Sequence, residues 1–197
     1  YFHLNLTGLQ DLSGLVSPRL NLTGLRDLSG LVMVITTLCM TVFISVSQTG
    51  NASSYPPFQP LIDATQPGAT LTPPSGTYAG PVKITSPITI AGNHQVTIDG
   101  GGKGTVILVE GNGVQLRNLR VTHSGDSYDQ IDSCIQVRGN FNIFKDNIFD
   151  NCLFGMDLQQ SNHNIIRRNQ FQSSKPLSLG LRGDAIRFWY STNNQMT

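Results

Sequence analysis

NIFKDNIFDN at residues 142–151 aligns with NIIRRNQFQS at residues 164–173. Asn142 falls on Asn164, Ile143 on Ile165, Asn147 on Asn169 and Phe149 on Phe171, each 22 residues apart. Upstream, GVQLRNLRV (113–121) enters the same frame, with Val114 on Ile143 and Asn118 on Asn147, now 29 apart; the extra seven residues read as an insertion. From Val82 onward the chain is a series of short β-branched or alternating runs: VKI (82–84), ITI (88–90), VTI (96–98), VILV (106–109), VQL (114–116) and IQV (135–137). Gly, Asn and Asp separate them, none reaches helical length, and the 3.6-residue period is absent. A period near 22 with three short strands per repeat predicts an all-β parallel β-helix. In such a solenoid each coil adds one rung about 4.8 Å from the last. Asn118, Asn147 and Asn169 are then expected to stack as a ladder at one bend, their amides bonding along the column.

Composition agrees. Of 197 residues only 13% are charged and 20 are Gly, with 15 Asn. Such a chain favours tight turns over surface helices. The net charge of +1 offers no overall basic character for nucleic acid. Ahead of the strands, LIDATQPGATLTPPSGTYAGPVKI (61–84) reads as a short capping helix, a strand and a turn into the first rung. Leu61, Ile62 and Ala64 are the residues expected to cover the open end.

The N-terminal quarter has another character. NLTGLQDLSGLV (5–16) recurs as NLTGLRDLSGLV (21–32), and two copies cannot stack into a solenoid of their own; residues 1–32 read as a non-structural repetitive leader. LVMVITTLCMTVFISV (31–46) is an apolar run too short to span a bilayer comfortably but of the right length for an export signal. Residues 33–53 are therefore expected to be a signal peptide, the segment through which any membrane contact would be made. Residues 54–197 are expected to be the β-helix domain. The chain opens on Tyr1 and stops in mid-pattern at Thr197, so it reads as a fragment truncated within its last coils.

PPSGTYAGPVKI (73–84), TIDGGGKGTV (97–106), DNIFDNCLFGMDL (146–158) and GDAIRFWYS (183–191) together resemble the NosD family over residues 58–197. The resemblance implies a right-handed β-helix that resides in the periplasm. It implies a role in maturing the copper–sulfur centre of nitrous oxide reductase, with that enzyme and an ABC transporter as partners. No site residues come with it. The role it implies is an accessory one rather than catalysis. A carbohydrate-active β-helix enzyme, a lyase or epimerase, is the alternative reading, and a structural or non-functional fragment is a third.

GGGKGT (100–105) departs from the phosphate-loop pattern at Thr97 and Gly104 and reads as a tight turn. Asp146 and Asp150 are expected to face solvent beside turns. Copper, the one cofactor the resemblance brings into view, would have to be held by His94, His123, His163, Met156, Cys134 or Cys152, which form no HxH, CxxC or MxxM pair. Cys134 and Cys152 fall near one corner of successive coils and are the pair for a disulfide, with free thiols as the other outcome.

Insertions give the candidate site. From each ladder Asn to the next inward strand residue the distance is 17 (Asn118 to Ile135), 9 (Asn147 to Met156) and 17 (Asn169 to Ile186). Two loops, 122–133 with Asp126, Asp129 and Asp132, and 172–184 with Lys175 and Arg182, are expected to stand as walls over a low floor at 151–155. With Ile135, Met156 and Ile186 inward, Gln136, Asp157 and Arg187 form one outward column. Trp189 and Tyr190 follow at its edge. These residues are the expected binding groove.

Overall fold

The computed structural model describes residues 55–173 and 178–197. The segments expected to be a repetitive leader (1–32) and a signal peptide (33–53), and Lys175, lie outside the described residues. Among the described residues no helix is long and apolar enough to cross a membrane.

Three parallel sheet faces wrap one core, and together they form a parallel β-solenoid of about four turns. The first face carries β1 (Thr70–Leu71), the leading halves of β4 (Thr89–Asp99) and β6 (Gln115–Thr122), then β8 (Ile143–Lys145), β11 (Ile165–Arg167) and β14 (Gln195–Met196). The second carries β2 (Gly76–Ala79), the trailing halves of β4 and β6, then β9 (Ile148–Cys152) and β12 (Gln170–Ser173). The third carries β3 (Val82–Ile84), β5 (Ile107–Val109), β7 (Ser133–Val137), β10 (Phe154–Gln159) and β13 (Ile186–Trp189). The alternation read from the sequence is visible as burial. Leu116, Phe144 and Ile166 stack at successive rungs of the first face, Val121 and Phe149 in the second, and Ile107, Ile135 and Met156 in the third, all at most 2% exposed. Full burial of each such side chain contributes about 2 kcal/mol.

The register departs from the expected alignment by one residue. Gln115, not Val114, lies opposite Ile143, and Val121 lies opposite Phe149. Coil to coil, equivalent positions are separated by 28, 22 and 30 residues. The ladder therefore does not pass through Asn118. Asn147 Oδ1 accepts from the N–H of Leu119 at 3.0 Å, and Asn169 Oδ1 accepts from the N–H of Asn147 at 3.0 Å. Asn147 Nδ2 also donates to the Leu116 carbonyl, and Asn169 Nδ2 to that of Phe144. Asn118 instead shares the bend column of Asp146 and Arg168, all three with φ of 50–57°. That left-handed conformation is what lets the chain change faces, and Asn and Asp tolerate it best.

Two further ladders hold the corner between the third face and the first. The N–H groups of Val114, Asn142 and Asn164 donate to the side chains of Asn142, Asn164 and Asn194 at 2.8–2.9 Å. Two residues earlier the polarity reverses, and the N–H groups of Asn140, Asn162 and Thr192 donate back to Asn112, Asn140 and Asn162 at 2.7 Å.

The capping helix is a single turn, α1 (Gln59–Asp63), started by Pro60 in its first turn. Its cap differs from the expected set. Phe58 is wholly buried and meets Tyr78 edge-on at 5.1 Å, Ile62 is buried and Leu61 packs against the core, while Ala64 is exposed. The Phe58 N–H donates to the Ala79 carbonyl, so the segment before the helix also pairs with the first coil. GGGKGT is a turn, with Gly101, Gly102 and Gly104 at positive φ and the Gly101 N–H bonded to Asp99 Oδ1.

Candidate functional site

The outward column of the third face is in the expected register: Gln136 opposite Asp157, and Asp157 opposite Arg187. Parallel pairing without slippage fixes these three side chains at one-rung spacing. The column is not the open groove floor expected of it. Asp157 is 0% exposed and Gln136 9%. The acidic loop folds over the sheet rather than standing up from it. Gln136 Nε2 donates to the carbonyls of Gln130 and Ile131, and Tyr128 meets Phe154 edge-on at 5.7 Å. Arg187 reaches back over the column, its guanidinium 5.5 Å from the Phe154 ring centre and 5.4 Å from that of Trp189. Half-buried and stacked, it is held more firmly than a surface arginine.

Asp157 Oδ2 accepts from Gln159 Nε2 at 2.6 Å, while Oδ1 has no hydrogen-bond partner and lies 3.6 Å from Arg187 Nε. Burial pushes this carboxyl above its ordinary range; the Gln159 bond and the charges of Arg187 and Arg138 oppose the shift without cancelling it.

Two clefts flank the column. One, of about 450 Å³, is lined by Arg138, Gln159, Gln160, Trp189 and Tyr190. Trp189 and Tyr190 are 52% and 76% exposed and meet edge-on at 5.4 Å. Arg138 and Gln159 were missed in the sequence, although the alternation that placed 136, 157 and 187 reaches 138, 159 and 189 two residues on. The other cleft, of about 420 Å³, lies above the low floor. Cys152, Leu153, Phe171, Leu179, Arg182 and Asp184 are among its walls. Arg182 donates to Ser173 Oγ across its mouth at 3.3 Å.

The remaining expected residues disperse. Asp126 and Asp129 are exposed, whereas Asp132 is buried and accepts from the Ser127 N–H at 3.0 Å, closing its own loop. Asp150, expected in solvent, is 8% exposed and paired with Arg120 at 2.8 Å. Asp146 does sit at a turn, gripped by Arg168 through two bonds that hold its carboxyl below the ordinary range.

The copper donors do not assemble. Cys134 and Cys152 are joined in a disulfide with Cα atoms 5.5 Å apart. Met156 is in the core, His123 pairs with Asp99 at 3.0 Å, and His163 stacks on Phe141 at 5.0 Å. Among the described residues no three His, Cys, Asp or Glu side chains converge. These donors do not fit a copper site.

No family model, curated protein or solved structure matches the chain.

Proposed function

We propose that the chain is an exported β-helix accessory protein of the NosD kind, which serves maturation of the nitrous oxide reductase copper–sulfur centre by docking a partner on the third face. The observation that carries this reading is the Arg187–Trp189–Tyr190 group. A guanidinium clamped between two rings and two largely exposed aromatics on a rigid sheet have the composition of an interface hot spot. The sheet fixes the backbone of Arg187 and Trp189, with Tyr190 at the bend that follows, so little ordering entropy is lost on docking. The Cys134–Cys152 bond supports residence in an oxidising compartment such as the periplasm. The partner is a protein of the maturation apparatus, the reductase or its ABC transporter.

The test is complementation of a strain lacking the protein with Trp189→Ala or Arg187→Ala. Both variants should keep the β-rich circular dichroism spectrum and yield reductase deficient in its copper–sulfur centre. Reductase matured at the wild-type level by both variants sinks the proposal.

A further inference from the structure

We infer that the first face carries a second binding site, independent of the docking face, for a linear acidic polysaccharide laid along the solenoid axis. The observation is a file of like charges. Arg117 lies opposite Lys145, and Lys145 opposite Arg167, on three successive rungs. Their inward neighbours Leu116, Phe144 and Ile166 are in the core, so all three cations point to solvent.

Elsewhere on this solenoid, charges meet their opposites across coils: Lys83 with Glu110, Arg120 with Asp150, Arg168 with Asp146 and Arg187 with Asp157. In this file cations stand one rung apart and repel. The outward strand positions beside it, Gln115, Ile143, Ile165 and Gln195, include no carboxylate. The nearest acid, Asp146, is already held by two bonds from Arg168 and lies 3.6 Å from Lys145. Arg117 is bonded to the Gln115 side chain, and Arg167 has no hydrogen bond or ion pair from its side chain among the described residues. Across the rungs the file sets cation against cation, and an anion at each rung would relieve that repulsion.

The ligand class follows from spacing and from what flanks the cations. One positive charge per rung, about 4.8 Å apart, matches a polymer bearing one carboxylate per sugar. A flat apolar strip runs parallel to the file. Ile143 and Ile165 stack in it, and at its edge the rings of Phe141 and His163 lie parallel within 7°, with Phe141 62% exposed. Flat apolar groups suit the faces of pyranose rings. Polyphosphate or single-stranded nucleic acid carries denser charge and has no use for the aliphatic column. A membrane would call for cations spread over an area, not in single file.

The experiment uses the full chain in affinity electrophoresis and titration calorimetry. The probes are polygalacturonate and alginate, with dextran, polyphosphate and phosphatidylglycerol vesicles for comparison. Wild-type protein should bind the two uronans, with affinity falling roughly 20-fold from 50 to 200 mM salt if three counterions are released. Arg117→Gln/Lys145→Gln/Arg167→Gln should lose at least about tenfold of that affinity with an unchanged circular dichroism spectrum; the single Arg167→Gln should lose a few-fold. Phe141→Ala should weaken uronan binding, and Trp189→Ala should leave it unaltered. Wild-type affinity in the triple variant, equal binding to dextran, or tighter binding to polyphosphate or vesicles than to uronan each overturns the inference.

Discussion

Replacing Asn147 with Ala tests where the ladder runs. Asn147 is 1% exposed and its amide serves two backbone groups of the preceding coil, the Leu119 N–H at 3.0 Å and the Leu116 carbonyl at 2.9 Å. Leu119 and Leu116 are themselves 2% and 0% exposed, so water cannot take over either bond. Each orphaned group costs about 1–3 kcal/mol, and the substitution should destabilise the domain by about 4 kcal/mol. Asn118→Ala is the control. Asn118 has φ of 55° and takes no part in the ladder, so its replacement exposes only the left-handed penalty, about 1 kcal/mol. Equilibrium urea unfolding, followed by circular dichroism and by Trp189 fluorescence, gives both values. If Asn118→Ala costs several kcal/mol while Asn147→Ala costs less than about 1 kcal/mol, the coils are stacked one residue out of the register described above.

Three further outcomes are expected. Cys134→Ser should lower stability by about 3 kcal/mol, the loop-closure entropy of a bridge spanning 18 residues, and thiol titration of the unreduced, denatured protein should find neither Cys134 nor Cys152 free. Because burial raises the Asp157 carboxyl above its ordinary 3.8, its contribution to stability is full below about that pH and is lost as pH rises through the raised value. Asp157→Asn should therefore match wild type near pH 3 and exceed it near pH 7; parallel pH profiles would show that the ionised carboxyl carries no penalty. Gly139→Ala would place a Cβ 1.9 Å from the Gly111 carbonyl oxygen and should cost about 3 kcal/mol or more, whereas Gly180→Ala, with nothing within 4 Å, should be neutral in the same unfolding assay.

The fold was legible because the coils of β8 and β11 are related by 22 residues without interruption, so Asn, Ile and Phe fall on their own kind. The one-residue error upstream has a physical origin. The bend needs a backbone conformation, φ near 55°, that Asn118, Asp146 and Arg168 all supply, so no common letter marks the column. The ladder position one residue later is Asn in two coils and Leu119 in the third, where a backbone N–H alone suffices. Matching letters therefore paired Asn118 with Asn147 in place of Asp146. Of the candidate site, the column of Gln136, Asp157 and Arg187 was readable because alternation sets which side a strand residue faces. Its burial was not readable. It depends on Tyr128, Gln130 and Ile131, in a loop without period, folding over the sheet. The cation file at 145 and 167 obeys the same 22-residue offset, but only three-dimensional pairing shows that cation faces cation from rung to rung.

The asparagine ladders have a consequence for where such a chain can grow. Two of the three corners are laced to the coils on either side through side-chain amides, and at the corner between the third and first faces the lacing runs in both directions. A residue added there would pull several buried bonds out of step at once. Among the described residues the corner between the second and third faces has no such lacing, and there the chain runs long, short and long again, from Thr122 to Ser133, Cys152 to Phe154, and Ser173 to Ile186. Tolerance to insertion is thus built into one edge of the prism, while the laced stretches at the other two hold a constant length from coil to coil. Novelty can accumulate along that edge coil after coil without disturbing the stack, which is where both long loops and the clefts beside them are found.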